Sequence, residues 1–146
     1  MIQIDDVIKE WEKDSEINKQ DAGNESIGIA KLHSKYYKFL IQAKKQFRNC
    51  CTAYNKLSKV KTEYYLGLLS KEELNKLGWE PFSMRVLRQD IQLYLDADSS
   101  VCKAGDAVEE AKVLVEFIES ILKDLNQRNF QIRNLIEWNK FINGIS

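Results

Sequence analysis

The chain has 146 residues, of which 22 are Lys or Arg and 22 are Asp or Glu, so its formal net charge is zero. Its length corresponds to one domain, and its 44% hydrophobic and 30% charged residues are typical of a soluble globular protein. No segment stays apolar for the roughly 18 residues that a membrane span requires, and the N-terminus lacks the regions of a signal peptide. Taken alone, zero net charge argues against a polyanionic partner.

Hydrophobic periodicity predicts two helices in the first half of the chain. Four apolar residues that begin at Ile4 follow the i, i+3, i+4, i+7 spacing, which predicts a first helix to about Ile17. Apolar residues then recur every three or four positions from about Glu25 to Tyr65, so a long second helix is predicted over about 25–65. Gly67 is expected to end it.

Cap and turn signals divide the next part of the chain into shorter elements. The segment from Ser70 to Glu73 has the pattern of a capping box, and Gly78 closes the short helix that it begins. After a loop at 79–82, Ser83 is predicted to cap another helix. The apolar residues of that helix are Met84, Leu87, Ile91, Tyr94 and Leu95.

A further helix is predicted from about Asp98 to Asn126, and a last one from about Phe130 to Ile142. No strand pattern persists, so the predicted fold class is all-α, a bundle of long helices. The last helix is apolar around much of its circumference, which favours burial on two sides, one of them against another subunit. Docking within its own bundle is the alternative.

The chain is therefore divided into a helical bundle at 1–128 and a C-terminal oligomerisation helix at 129–146, within a single compact unit. The predicted interface residues are Phe130, Ile132, Leu135, Ile136, Trp138, Phe141 and Ile142.

The charges are distributed very unevenly along the chain. Residues 1–25 carry a net charge of −5 and residues 63–146 a net charge of −4, whereas residues 26–62 contain nine bases and no acid. A block of one sign is typical of a surface that binds a polyanion or the acidic segments of another subunit. An ordinary solvated helix face would mix Glu with Lys in i, i+4 pairs. The zero net charge therefore hides a strongly basic second helix.

The residue types that catalysis and metal binding need are sparse. His33 is the single histidine, which argues against a catalytic triad and a histidine zinc site. The segment from Asp96 to Ser100 begins like a calcium loop but lacks its later Gly and Glu, so a helix break or cap is the better interpretation. Three cysteines without paired spacing suit a reducing cytoplasm. We predict no enzyme, no metal site and no cofactor.

The order of these elements resembles the UvsY family of phage recombination mediators nearly from end to end. The motifs that carry the resemblance are Lys13-Asp14-x-x-Ile17, Leu32-x-Ser34-Lys35-Tyr36, Lys59-x-Lys61-x-x-Tyr64-Tyr65-x-Gly67, Phe82-Ser83-Met84, and Arg128-x-Phe130-x-Ile132 with Phe141 and Gly144. Their order and near-constant spacing make the resemblance more specific than any one of them.

The resemblance implies a ring-like homo-oligomer, of about six or seven subunits, that binds single-stranded DNA. Such a protein helps a RecA-type phage recombinase to replace single-strand-binding protein, in the cytoplasm of an infected host cell. Two DNA contacts of the family carry over onto Lys59 and Lys61, and the second is typically Arg, so Lys61 departs from the pattern. The family's assembly element carries over onto the C-terminal helix, at Phe130, Ile132, Leu135, Ile136 and Phe141.

The predicted DNA-binding residues all lie on the basic second helix or in its terminal motif. The lysines would neutralise phosphates. The tyrosines, together with Tyr37, could stack on bases. They are Lys31, Lys35, Lys38, Lys45, Arg48, Lys56, Lys59, Lys61, Tyr64 and Tyr65.

Two other functions are also compatible with the sequence. A helical scaffold or chaperone-like assembly protein would pair its basic helix with acidic helices of another subunit and would not touch nucleic acid. A sequence-specific duplex binder is a weaker alternative, because the sequence has no helix-turn-helix or zinc pattern.

Overall fold

The first helix, α1, spans Ile4–Asp14 in the computed structural model, which describes residues 1–144. Its apolar stripe places Val7 in the core with 1% of its surface exposed. Asp5 and Asp6 lie in its first turn, where negative charge is favoured by the helix dipole. The helix ends earlier than the predicted Ile17, and its last backbone hydrogen bond runs from the Ser15 N–H to the Trp11 carbonyl.

The long second helix is confirmed as α2, which spans Ala22–Tyr65. Gly67 ends it as predicted, with a φ of +71° that a side chain would strain. The N–H of Leu68 donates to the Glu63 carbonyl at 2.9 Å and the N–H of Gly67 to the Tyr64 carbonyl at 3.1 Å. These two bonds form a Schellman motif and satisfy carbonyls that the helix end would otherwise leave unpaired.

The capping box predicts the next helix correctly. Helix α3 spans Lys71–Leu77, and the Ser70 Oγ accepts a hydrogen bond from the Glu73 N–H at 3.2 Å. Gly78 closes it at a φ of +70°.

The helix predicted to begin at Ser83 is wrong in its first half. Residues 84–87 are not helical, and they lead into a 3-10 turn at Arg88–Asp90 and then into α4, Ile91–Ala97. Met84 and Leu87 are 62% and 53% exposed, whereas Val86 is buried. A non-helical segment that buries Val86 therefore replaces the helical face that Met84 and Leu87 were predicted to form.

The two helices predicted for the C-terminal part are one helix, α5, which spans Ser99–Ile142. The residues between Asn126 and Phe130 are polar but contain no Gly or Pro to stop a helix. Helices make up most of residues 1–144 and no strand occurs there, which confirms the all-α class. Within that part of the chain no helix is long and apolar enough to cross a bilayer.

The chain folds as two compact units, each with its own core. The first unit combines Met1–Gln46 with the chain from Lys112 onward, and the second is Phe47–Ala111. In the first, α1, α2 and α5 contribute Val7, Tyr36, Leu40, Ala43, Leu114, Ile118, Ile121, Leu122 and Leu125. In the second, the buried residues are Val86, Ile91, Leu95 and Val101, with aromatic rings packed around them.

Two glycine substitutions should change stability in opposite directions. Gly67→Ala forces a side chain into the left-handed region and should lower the free energy of unfolding by about 1–2 kcal/mol. Gly28 lies within α2, and no atom is within 4 Å of a Cβ added there. Gly28→Ala should therefore raise the free energy of unfolding by about 0.5–1 kcal/mol. Urea unfolding followed by circular dichroism at fixed protein concentration measures both. If Gly67→Ala left the free energy of unfolding unchanged or raised it, as Gly28→Ala should, the assignment of the Gly67 turn would be contradicted.

Candidate nucleic-acid interface

The first unit presents three predicted DNA-binding residues to solvent on α2. Lys31, Lys38 and Lys45 are exposed and have no carboxylate partner among residues 1–144. Lys31 and Lys38 line a groove of about 750 Å³, to which Asp14 and Glu25 also contribute. Lys35 lines it as well, so the groove contains three lysines and two acids.

Lys35 is already neutralised by the acidic first helix. Its Nζ lies 2.7 Å from the Glu10 Oε2 and 2.6 Å from the Asp14 Oδ2. Burial alone would lower the pKa of Lys35, but the hydrogen bonds to these carboxylates raise it above its ordinary value. Its role in DNA binding stays a prediction, since a phosphate would have to displace two carboxylates.

The same carboxylate binds the buried Tyr36. The Tyr36 hydroxyl donates to the Asp14 Oδ2 at 2.8 Å, and burial together with this bond raises the pKa of Tyr36 well above its usual range. Burial also works to raise the pKa of Asp14, but the hydrogen bonds from Lys35 and Tyr36 lower it overall. Helix α1 is thus held to α2 by two hydrogen-bond donors, the charged ammonium of Lys35 and the neutral hydroxyl of Tyr36.

Half-exposed Tyr37 and partly buried His33 lie next to these lysines on α2. The two rings stack, with their centroids 6.1 Å apart and their planes at 13°. Tyr37 therefore keeps one part of its ring available to solvent, as a base-stacking residue must.

The second unit presents another three predicted residues on α2. Arg48, Lys56 and Lys59 are exposed and have no carboxylate partner among the described residues.

Lys61 is buried in an ion pair. Its Nζ lies 3.1 Å from the Asp98 Oδ2, and the two side chains are only 13% and 6% exposed. The ammonium also lies 4.2 Å from the centroid of the Trp79 ring, which adds a cation–π contact. Both partners and the ring belong to the second unit.

Tyr64 and Tyr65 lie in the same cluster. The Tyr65 hydroxyl donates to the Asp98 Oδ2 at 2.6 Å, and the Tyr64 hydroxyl donates to the Glu80 carbonyl at 2.7 Å. Burial and the bond to Asp98 raise the pKa of Tyr65 to about 12. Both rings pack edge-on or tilted against Phe82. Whether these two tyrosines or Lys61 also touch DNA stays a prediction.

Asp98 is the residue on which this cluster converges. Its Oδ1 accepts from the Ser100 N–H at 2.9 Å, the Ser100 hydroxyl at 2.6 Å and the Val101 N–H at 3.0 Å, which caps α5 as the sequence predicts. Burial alone would raise the pKa of Asp98, but the bonds from Ser100, Tyr65 and Val101, with Lys61, hold it far below its ordinary value.

Several pairings of the basic residues were missed by the sequence reasoning. The pairing of Lys35 with Glu10 and Asp14 could have been suspected from the acidic first helix, but no pattern specifies which lysine pairs. The contact of Trp79 with Lys61 has no local signal. The pair of Lys44 and Glu119, 3.9 Å apart, joins segments that are far apart in sequence and has no local signal either.

The predicted oligomer-interface residues divide into two groups. Ile132 is 2% exposed and packs inside the first unit, and Leu135 is partly buried. The others are exposed, namely Phe130 at 65%, Ile136 at 37%, Trp138 at 58%, Phe141 at 76% and Ile142 at 61%. The rings of Trp138 and Phe141 stack on each other with centroids 5.8 Å apart. Large exposed apolar side chains on one segment are typical of a protein interface.

No group of three or more metal-ligating side chains converges among residues 1–144. The surfaces that stand out are the exposed bases of α2 and the exposed apolar end of α5.

A family model described as "Recombination, repair and ssDNA binding protein UvsY" matches residues 10–145. The chain belongs to the UvsY family. Its role is accordingly in recombination and repair, with binding of single-stranded DNA. No curated protein sequence matches the chain.

Solved structures of a UvsY protein share the fold. Three crystal structures of the bacteriophage T4 recombination mediator protein UvsY, in three lattice types, match with TM-scores of 0.82, 0.83 and 0.80. They are 22%, 21% and 23% identical in sequence, and cover 97%, 96% and 93% of this chain and 98%, 99% and 98% of theirs. The likeness extends over nearly the whole length of both chains.

The Asp98 cluster of this UvsY family member should make its stability depend on pH. Because the folded-state pKa of Asp98 is lowered, its ionised form stabilises the protein above an unfolded-state pKa of about 3.9, and that contribution is lost as the pH falls below this value. Asp98→Asn leaves Lys61 without a counter-charge and should cost about 3–5 kcal/mol at pH 7. The difference from the unsubstituted protein should shrink as the pH falls from about 4 toward 2.

The measurement is urea unfolding across that pH range. Asp96→Asn is the matched control, since Asp96 is exposed and two residues away, and it should change the free energy of unfolding by less than about 0.5 kcal/mol. A gap between Asp98→Asn and the unsubstituted protein that stays constant with pH would show that the charge of Asp98 does not matter.

Proposed function

We propose that the protein is a recombination mediator that binds single-stranded DNA without sequence specificity and promotes loading of a RecA-type recombinase onto strands covered by single-strand-binding protein. The observation that carries the proposal is that six bases of α2, three in each unit, are exposed and lack carboxylate partners among residues 1–144. They are Lys31, Lys38 and Lys45 in the first unit and Arg48, Lys56 and Lys59 in the second.

The chemistry of these bases suits a protein that must bind any sequence. Lysine is a strongly hydrated point charge that neutralises a phosphate without a fixed geometry and without reading base edges. Binding of this kind releases condensed counterions, so it weakens steeply with salt. A few such contacts hold a strand weakly enough to let it pass to a recombinase.

Removal of exposed lysines should flatten the salt dependence of DNA binding. For single strands, the slope of log Kobs against log salt changes by about 0.7 for each phosphate that the protein no longer neutralises. The pair Lys56→Gln/Lys59→Gln should therefore reduce the slope by about 1.4, and so should the pair Lys38→Gln/Lys45→Gln. Fluorescence polarisation of a labelled oligo-dT over a salt series measures it.

The matched control for these pairs is Lys103→Gln, which removes an exposed charge from α5. It should leave the slope unchanged, and all variants should unfold at the same temperature. If the salt slope were unchanged in both double variants, the proposal that the exposed bases of α2 bind DNA would be contradicted.

We further propose that the protein acts as a ring-like homo-oligomer, of about six or seven subunits, assembled through the C-terminal part of α5. The exposed Trp138, Phe141 and Ile142 support this, because large exposed apolar side chains grouped on one segment gain by burial against another copy. A ring repeats each weak phosphate contact around its rim, which raises the effective concentration of binding sites along one strand.

Charge placed on the exposed aromatic pair should break the oligomer. Trp138→Asp/Phe141→Asp should convert the assembled species to monomers in sedimentation velocity, with circular dichroism unchanged because both rings are outside the core. Leu93→Asp, at an equally exposed residue of α4, is the control and should assemble normally. An intact oligomer in the double variant would refute this interface.

The alternative function is an oligomeric scaffold or chaperone-like assembly protein that does not bind nucleic acid. One observation favours it: Lys35 and Lys44 already pair with carboxylates of their own chain, and the free bases could pair with carboxylates of another. The oligo-dT titration separates the two, since the assembled scaffold would not bind the strand even at low salt.

A further inference from the structure

A groove in the second unit brings a base from outside α2 next to the predicted DNA-binding motif. The groove has a volume of about 420 Å³ and is lined by Lys59 and Thr62 of α2 and by Arg88 of the 3-10 turn. Leu66 and Leu68 supply apolar lining. Arg88 was not among the predicted site residues, because it lies beyond the acid-free basic block.

Arg88 is free to bind a ligand. It is exposed and no carboxylate lies within 4 Å of its guanidinium among the described residues. Its backbone is nonetheless fixed, because the Asp90 N–H donates to the Leu87 carbonyl at 2.9 Å and the following Ile91 is buried in the core. A charged side chain on a fixed backbone is a suitable anchor for an anion.

The groove contains two cations and one acid. Glu63 also lines it and has no ion-pair partner among residues 1–144. One carboxylate against Lys59 and Arg88 leaves a net positive groove, although Glu63 weakens the attraction for a phosphate. Removal of the Glu63 carboxylate should therefore make the protein bind single-stranded DNA more tightly.

Lys61, the second base of the motif, is not available in this groove. Its ammonium is paired with Asp98 and covered by Trp79, and only 13% of the side chain is exposed. Extraction of Lys61 would leave Asp98 buried without its counter-charge, which is costly. A phosphate near Lys59 therefore meets Arg88 at lower cost than it meets Lys61.

We propose that Lys59 and Arg88 form a phosphate-binding subsite for one nucleotide of single-stranded DNA, and that Lys61 is a positioning residue that holds this end of α2 through Asp98. The inference rests on the proposed DNA-binding function. The forked guanidinium of Arg88 supplies the bidentate phosphate contact that a lysine at position 61 lacks. Leu66 and Leu68 offer an apolar surface to the sugar or base, and the groove volume is within the range of about 300–1,000 Å³ of small-ligand sites.

The test compares two arginines in the full-length protein. Arg88→Gln should weaken binding of a labelled oligo-dT by about three- to tenfold at low salt and reduce the salt slope by about 0.7. Arg85→Gln is the matched control, because Arg85 is also exposed, lies three residues away and does not line the groove. It should bind with the affinity and slope of the unsubstituted protein.

A second variant tests the subsite with the opposite sign. Glu63→Gln removes the opposing carboxylate and should tighten binding by about two- to fivefold at low salt, an effect that screening should abolish at high salt. A variant that gains affinity is not explained by misfolding. No loss of affinity from Arg88→Gln would overturn the subsite, whatever the result for Glu63→Gln.

The salt dependence of oligo-dT binding distinguishes a positioning role of Lys61 from a phosphate contact. Lys61→Gln should lower the melting temperature and leave the slope unchanged, and Lys61→Arg, which keeps the charge opposite Asp98, should recover the stability. A slope reduced by about 0.7 at an unchanged melting temperature would assign Lys61 to phosphate instead.

The outcomes distinguish this inference from the function on which it rests. If the unsubstituted protein does not bind oligo-dT at low salt, both are wrong. If it binds, and Arg88→Gln binds as well as Arg85→Gln, the Arg88 subsite alone is wrong and DNA binding by α2 stands.

Discussion

The burial of the Asp98 carboxylate constrains how the second unit packs. A carboxylate that is largely removed from water is tolerated only when hydrogen bonds and an opposite charge replace its hydration. Asp98 obtains them from the first turn of α5, from Tyr65 and from Lys61. The end of α2 and the beginning of α5 are therefore fixed to each other, and the aromatic rings around Phe82 pack against a defined frame.

Ion pairing within the chain decides which bases are left for a partner. Of the nine bases in residues 26–62, Lys35, Lys44 and Lys61 have carboxylates within 4 Å. The remaining six are exposed. The contribution of exposed pairs such as Lys44 and Glu119 to stability is small, whereas the buried pair of Lys61 and Asp98 is costly to break. A buried lysine of α2 thus stabilises the fold through an ion pair, whereas the exposed lysines of the same helix are available to a partner.

Much of the fold could be predicted from the sequence because it depends on local signals. The apolar repeat of α2, the capping box at Ser70 and the glycines at 67 and 78 act over a few residues, and each is confirmed. The first half of the helix predicted from Ser83 is wrong because an apolar spacing does not say whether Val86 or Leu87 faces the core. Within the candidate site, the exposed bases of α2 follow from the charge pattern, but the partners of Lys35 and Lys61 come from distant segments, which no local pattern specifies.

Arg128 gives the acidic first helix a second attachment. Its guanidinium donates to the carbonyls of Asp14 and Ser15 at 3.0 and 2.7 Å, lies 5.7 Å from the Trp11 ring, and keeps Nη1 buried without a hydrogen-bond partner. Because α1 is held at its end by Arg128 and along its side by Lys35, its docking and the neutralisation of Lys35 form one thermodynamic unit. An anion that competes for Lys35 must therefore weaken the docking of α1, and by linkage a docked α1 weakens the binding of that anion by the same free energy.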